Sequence, residues 1–407
     1  MQTALRGHDF GSVFRLARQE AKISYSKIAA ECGIKPERVG TLARGKGRIG
    51  SYEKIAVIAD ALRIPGHLVG LAPRPWETVR GQPPRRAVLQ AAGAVGLAAG
   101  IGDVHSPSAA TGRIDHRTVA RRRARAARLR RLDDVLGGGD TYKIFTAEYQ
   151  ATRATLRTAT YSDAVRRDLL ALLAELAQQA GWSAFDGGRH REATALYRES
   201  RSAAEEAGAG DLARNGLALI AYQAAGSEPR AAAAITARSC EAITTSTPAS
   251  VRALLWERAA WAQAVAQDAG STEHALSAAR DALDAADADQ PQPDWAAWVD
   301  HAELDIMSGR CWTELRRPLR AVPLLLRGLA RVDDTHARDK SLYSTWLAEA
   351  YMLAGEVEEA ARVAGRAMEL ADGVASPRPR HRIDLVVSKL ALEHGTVPAV
   401  AELVEPT

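Results

Sequence analysis

The side chains best suited to chemistry in this sequence are the charged, hydroxyl and phenol groups that cluster between residues 24 and 48. Most are cations or hydrogen-bond donors and acceptors, which suit noncovalent contact with an anionic partner. The candidate recognition residues are Tyr25, Ser26, Lys35, Glu37, Arg38, Thr41, Arg44, Lys46 and Arg48.

Two short helices joined by a tight turn are predicted to position these side chains. Ser24 is a suitable N-cap for a helix from Tyr25 to about Cys32, and Gly33 supplies the positive φ that a sharp turn needs. The second helix carries Pro36 in its first turn, where the missing N–H costs no hydrogen bond. Packing of the two helices leaves the outer face of the second helix free. The apolar residues of the predicted seam are Ile28, Cys32, Ile34, Val39 and Leu42.

Additional helices are predicted on both sides of this pair. Upstream, Val13, Leu16 and Ala17 recur on one helical face. Downstream, a fourth helix and a short fifth helix at residues 67–71 follow. The apolar positions of the fourth helix are Ile55, Ala56, Ile58, Ala59 and Leu62.

Five helices in this order, with Gly-Ile at the turn and Arg-Gly-Lys after the third helix, resemble the XRE (lambda-repressor-like) helix-turn-helix DNA-binding domain over residues 10–71. The resemblance implies that double-stranded DNA is the partner and that the third helix enters the major groove. Tyr25, Ser26 and Lys35 begin the two helices and belong to the implied DNA contact surface. The residues implied to face base edges are Glu37, Arg38 and Thr41. Those implied to lie against phosphates are Arg44, Lys46 and Arg48.

Charge is distributed unevenly along the 407 residues, although the formal net charge is only +5. Residues 1–136 hold 25 Lys and Arg and 11 Asp and Glu, a balance of +14. The remaining residues hold 29 Lys and Arg and 38 Asp and Glu, a balance of −9. A basic front part and an acidic back part predict an anionic partner for the front part alone, and nucleic acid is the natural candidate.

The three cysteines are distant from one another, and none lies in a CxxC or Cys/His spacing. Neither a disulfide framework nor a metal site is predicted, no cofactor is implied, and the pattern fits a reducing cytoplasm. The chain opens on a polar segment that lacks the features of a signal peptide. Cys32 lies on the predicted helix seam; the other two are Cys240 and Cys311.

A linker is predicted over residues 77–115, after a DNA-binding domain at 1–76. Arg85 and Arg86 precede an apolar run and resemble a twin-arginine export signal, but they follow a complete predicted domain. The run is rich in Ala and Gly and short for a membrane span. We therefore expect it to dock on the protein or on a partner subunit, with no membrane role.

An arginine-rich segment follows, with eight arginines between Arg117 and Arg131. Such a helix can lie along phosphates and add affinity without sequence preference. It can equally be the solvated face of the first helix of the next domain, because Val119, Leu129 and Leu132 recur on one side. The second interpretation is favoured, and the two are compatible.

Residues 116–405 are predicted to form a tetratricopeptide-like α-solenoid, so the fold class of the whole chain is all-α. Ala-rich segments of helical period are broken at intervals of about forty residues, which indicates stacked helix pairs. The clearest copies are residues 341–371 and 173–208. In the second copy, Gly181, Phe185, Ala193 and Tyr197 match the tetratricopeptide pattern. The predicted breaks fall near Gly187, Gly226, Gly270, Gly309, Gly355 and Gly395.

Seven tryptophans of the array are expected to be mainly core, with a minority lining a groove that could take a peptide, a small molecule or a protein. They are Trp182, Trp256, Trp261, Trp295, Trp298, Trp312 and Trp346.

Nearly the full chain, including the sequence AGWSAFDGG, resembles an actinobacterial regulator family that joins a helix-turn-helix to such an array. A more distant likeness is to peptide-sensing regulators, which hold peptides with groove asparagines, whereas Asn215 is the only asparagine here.

These observations predict a cytoplasmic, nucleoid-associated transcription regulator. A dimer reading an inverted repeat is expected, since one helix-turn-helix contacts few base pairs. The alternative is a scaffold whose helical repeats bind a protein while the N-terminal domain only places it on DNA. No Walker-type, HExxH or nucleophile-elbow motif is present, so no enzyme is predicted.

Overall fold

The computed structural model describes residues 9–20, 24–47, 49, 52–62, 64, 69, 112–136, 138–287, 290–372, 374 and 376–404. Within these ranges the chain is all-α, as predicted, with eighteen α-helices and one 3-10 helix. The one β contact in the same ranges is an isolated bridge between Arg113 and Thr160. The chain divides into two compact units, residues 1–105 and 106–407.

The described part of the first unit consists of four helices around one apolar core. Its helices are α1 (Phe10–Glu20), α2 (Tyr25–Glu31), α3 (Pro36–Ala43) and α4 (Tyr52–Ala61). The bounds of α2 and α3 agree with the predicted pair, and Gly33 between them has the expected positive φ of 60°. The Arg85-Arg86 segment and most of the predicted fifth helix lie outside the described residues.

The buried face of α1 differs from the predicted face. Phe10, Val13 and Phe14 are buried, whereas Leu16 is only partly buried. The two phenylalanines are large apolar groups, so the helix turns them into the core that it shares with α3. The predicted seam residues Ile28, Cys32, Val39 and Leu42 are all buried, and Ile34 packs at the edge of the same core.

The second unit contains fourteen α-helices in the described residues. Its first two are α5 (His116–Leu136) and α6 (Gly138–Thr158). Five consecutive pairs follow: α7 (Asp163–Asp186) with α8 (His190–Ala207), α9 (Gly210–Ala224) with α10 (Pro229–Glu241), α11 (Ala249–Val265) with α12 (Ala269–Asp284), α13 (His301–Glu314) with α14 (Pro318–Leu329), and α15 (Ala337–Ala354) with α16 (Val357–Ala371). The last two are α17 (Pro377–His394) and α18 (Pro398–Val404).

Small residues allow the paired helices to approach closely. A Cβ added to Gly181 of α7 would lie 2.5 Å from the ring of Tyr197 on α8, and Tyr197 is 1% exposed. Gly309 shows the same packing and corrects a prediction, because it lies inside α13 against Leu325 rather than at a break. Gly270 is likewise in the first turn of α12, so the break precedes it.

The arginine-rich segment forms α5, and about half of its arginines turn inward. Arg130, 9% exposed, donates from Nε to Asp294 at 2.9 Å and from Nη1 to Glu175 at 3.4 Å. Arg125 forms an ion pair with Glu148. These pairs fix α5 on the helices of its own unit, in place of the purely solvated face that we favoured.

Candidate functional site

The outer face of α3 carries most of the predicted recognition residues. Lys35, Glu37 and Arg38 are exposed there, and Arg44 and Lys46 are exposed just after the helix ends. The opposite face is buried through Val39, Leu42 and Ala43. The predicted Arg48 lies outside the described residues.

Contacts from α1 hold the C-terminal end of α3. Arg15 donates from Nη1 to the carbonyl of Ala43 at 2.9 Å, so it satisfies one of the unpaired carbonyls at the end of α3. Gly11 lies so close to the carbonyl of Leu42 that an added Cβ would be 2.0 Å from its oxygen. Sequence reasoning did not find Arg15, because only the fold places it beside α3.

Two of the remaining predicted residues, Tyr25 and Thr41, have local partners. The guanidinium of Arg18 lies 4.6 Å from the centre of the Tyr25 ring, a cation–π distance. Ser26 is exposed at the start of α2. Thr41 is partly buried, and its hydroxyl donates to the carbonyl of Glu37 at 2.7 Å, which leaves its oxygen able to accept a further bond.

A separate cavity of about 610 Å³ lies entirely within the second unit. Its lining includes Arg131 and Trp298, which are exposed, and Arg310, which is 2% exposed, so the cavity runs from the surface into the interior. Residues of α5, α7, α9, α11, α13, α15 and α17 contribute to the walls.

Three arginines surround Tyr222 at the inner end of this cavity. Arg310 and Arg378 both donate to the Tyr222 hydroxyl, at 2.8 and 2.6 Å. The Arg258 guanidinium lies 4.6 Å from the centre of the same ring. Arg310 is also stacked on Trp346, at 4.2 Å from the ring centre. We name Tyr222, Arg258, Arg310 and Arg378 the arginine cluster.

The arginine cluster changes the acidity of its neighbours. Burial alone would raise the pKa of Tyr222, but Arg310, Arg378 and Arg258 outweigh it and lower the pKa to about 8. Burial and the neighbouring Glu257 raise the pKa of Glu303 to about 8. Burial likewise raises the pKa of Glu257. Glu303 therefore favours its neutral form near neutral pH.

Several other charges that line the cavity form ion pairs or cap a helix. Arg338 donates to Asp133 at 3.1 Å and to Asp339 at 2.9 Å. Asp300 caps α13 by accepting from the amides of residues 302 and 303 at 2.8 and 2.9 Å. By contrast, neither Arg310 nor Arg378 forms an ion pair with any carboxylate in the part of the chain that the structure describes.

The tryptophans divide between core and cavity. Trp312 and Trp346 are 4% and 5% exposed and confirm the expected core role. Trp298 is 44% exposed, so it belongs to the minority that was expected outside the core. It lines the cavity together with Trp182 and Trp295. Asn215 also lines it, donates to Gln178 at 2.7 Å, and has a buried Oδ1 with no hydrogen-bond partner.

No protein-family model matches this chain, and no curated protein is significantly similar to it. In the described ranges, no group of three His, Cys, Asp or Glu side chains is arranged to hold a metal ion. No helix in those ranges is long and apolar enough to cross a membrane. The three cysteines are free and buried.

Proposed function

We propose that the chain is a transcription regulator whose first unit binds double-stranded DNA sequence-specifically through the outer face of α3. The observation that carries this proposal is the division of α3 into two faces. Val39, Leu42 and Ala43 fix the inner face, while a row of exposed polar side chains occupies the outer face. A rigid helix with one free polar face at the surface is what major-groove reading requires.

The exposed residues fall into two chemical groups. Glu37 and Arg38 lie on the first turn of α3, and the N-terminal residues of a recognition helix are those that contact base edges. Arg44 and Lys46 follow the helix end, where cations suit phosphate contact. The helix-turn-helix domain at 1–76, the linker at 77–115 and the tetratricopeptide-like array at 116–405 remain parts of the proposal.

The proposal includes a homodimer. A single recognition helix contacts too few base pairs for useful specificity, and two half-sites related by two-fold symmetry solve this. The expected operator is therefore an inverted repeat.

The first test is capture of sheared genomic DNA by the purified full-length protein near physiological salt, followed by sequencing of the retained fragments. A reproducible inverted repeat is the expected result. Retention without a common sequence, lost as salt rises, would contradict the proposal and favour a scaffold placed on DNA by charge alone.

The second test uses single substitutions measured on the captured operator. Arg38→Ala should weaken operator binding by about 1–3 kcal/mol and relax preference at one base pair, because it removes a base contact. Arg44→Ala should weaken operator and unrelated DNA alike. The control is Lys54→Ala, an exposed cation on α4 that is not among the proposed contact residues. Equal operator affinity for Arg38→Ala and the control would refute the assignment of Arg38.

A further inference from the structure

The arginine cluster differs from the other charged groups of the second unit because two of its three arginines, Arg310 and Arg378, have no carboxylate partner among the described residues. Arg310 is 2% exposed and Arg258 is 5% exposed, yet the Nε of each is buried with no hydrogen-bond partner. Arg310 donates its hydrogen bond to the hydroxyl oxygen of Tyr222. Arg378 donates to the same oxygen. Buried cations are normally paired with anions or stacked, and this cluster is only partly compensated.

The nearest acidic groups do not complete the compensation. Glu257 accepts from Arg258 at 3.2 Å, and its Oε2 has no partner. Glu303 is hydrogen-bonded to the Tyr343 hydroxyl at 3.1 Å. Burial and the neighbouring Glu257 raise the pKa of Glu303 to about 8, so Glu303 is mainly neutral at pH 7. The three guanidinium groups of the cavity then outnumber the carboxylate of Glu257, and its inner end carries an excess of positive charge.

Aromatic and aliphatic groups lie beside the positive charge. The Arg258 guanidinium is 5.4 Å from the centre of the Trp298 ring and 5.9 Å from that of Trp182. Trp298 donates from its indole to the carbonyl of Trp295 at 3.1 Å, which fixes its half-exposed ring beside the cavity. Leu219 and Leu254 add apolar surface to the lining.

The volume of the cavity limits the ligand to a small molecule. About 610 Å³ lies in the range of small-molecule sites, which combine apolar walls with a few convergent polar groups. Planar guanidinium groups match carboxylate and phosphate oxygens in geometry as well as in charge.

We propose that the cavity of the second unit binds one small aromatic oxyanion, such as an aryl carboxylate or an aryl phosphate. The acidic group lies among the guanidinium groups of Arg258, Arg310 and Arg378. The ring lies against Trp182 and Trp298. This inference is independent of the DNA-binding proposal, because every residue that it uses belongs to the second unit.

The test is a fluorescence titration of the full-length chain with 8-anilinonaphthalene-1-sulfonate, an aromatic anion that brightens in apolar sites. N-phenyl-1-naphthylamine, which has the same rings without the sulfonate, is the uncharged matched probe. The variants are Arg310→Met and Arg378→Met, which keep a long apolar side chain and remove the charge. Arg378 is only partly buried, so its variant remains informative if Arg310→Met does not fold. Arg380→Met, an exposed position on the same helix, is the control.

We expect one anionic probe per chain and an affinity at least about tenfold lower in each cluster variant, with the control unchanged. The affinity of the uncharged probe should change little in the same variants. Phenyl phosphate should displace the anionic probe, and inorganic phosphate at the same concentration should not.

Three results would overturn the proposal. The first is no saturable binding of the anionic probe below about 1 mM. The second is equal binding by the cluster variants and Arg380→Met. The third is equal displacement by inorganic phosphate and phenyl phosphate, which would show a site for charge without a ring.

Discussion

Tyr222 receives hydrogen bonds from two guanidinium groups, and this geometry makes its phenol more acidic than a free tyrosine. A phenolate there is stabilised by three nearby positive charges, whereas the neutral phenol gains less from them. The same residue thus sets how much positive charge the cavity presents as pH changes.

Replacing Tyr222 with Phe should remove one titration of tyrosine near pH 8. Because the pKa is lowered to about 8, the wild-type phenol ionises as pH rises from about 7 to about 9, below the ordinary tyrosine range. The ultraviolet absorbance of tyrosinate measures this step directly. Tyr142→Phe is the control, since burial and the bond to Glu192 raise the pKa of Tyr142. An unchanged absorbance below about pH 9 in the wild-type protein would contradict the assignment.

Little in the sequence indicated that the residues of the arginine cluster come together. Arg258 and Arg310 lie within Ala-, Trp- and Leu-rich helical segments, where a lone arginine is easily assigned to a solvated face. The available signal was spacing, because Leu254, Arg258 and Trp261 follow one another at helical intervals on one face. Their convergence on Tyr222 depends on tertiary packing, which spacing alone does not determine.

Helix pairs are the elements that the sequence predicted best. The predicted copy at 341–371 coincides with α15 and α16 to within four residues, whereas the copy at 173–208 ends with α8 but begins ten residues inside α7. Gly355 ends α15 in a left-handed conformation, as a terminal glycine should. Gly309 was assigned wrongly because a glycine that ends a helix and one that permits close packing look alike in sequence.

Gly181→Ala should destabilise the protein by about 1–3 kcal/mol. The new methyl group would overlap the buried ring of Tyr197, and a packed core has no space to move it. Chemical denaturation monitored by circular dichroism measures the change in the free energy of unfolding.

Gly365→Ala is the matched control for this substitution. Gly365 is also inside a helix, but an added Cβ would lie 3.4 Å from Leu403, an ordinary contact. Alanine there should stabilise the helix by about 0.5–1 kcal/mol. Equal stabilisation of the protein by both variants would contradict the close contact between Gly181 and the ring of Tyr197.

At the scale of the whole molecule, net charge overstates how basic the front part is. Arginines of α5 that contribute to the balance of +14 pair with Glu148, Glu175 and Asp294, which lie beyond residue 136. The charge of the front part therefore includes cations that are paired within the second unit, so it overstates the charge left for an anionic partner. The exposed arginines of α5 include Arg117 and Arg128.

The salt dependence of DNA binding should separate these two sources of charge. Each phosphate contact contributes about 0.9 to the slope of the logarithm of the binding constant against that of salt concentration. Arg44→Ala with Lys46→Ala should reduce the slope by about 2 per chain. Arg117→Ala with Arg128→Ala should change it by less than about 1. An equal reduction by both double variants would show that α5 also lies along phosphates.

The pair between Asp133 and Arg338 has a consequence for synthesis on the ribosome. These residues are 205 positions apart in the chain, so α5 emerges long before the helix that completes its contacts. At about 5–20 residues per second, the delay is about 10–40 s. During this interval Asp133 is without the guanidinium of Arg338. A nascent chain that ends before residue 338 therefore lacks this partner of Asp133, and its second unit is incomplete.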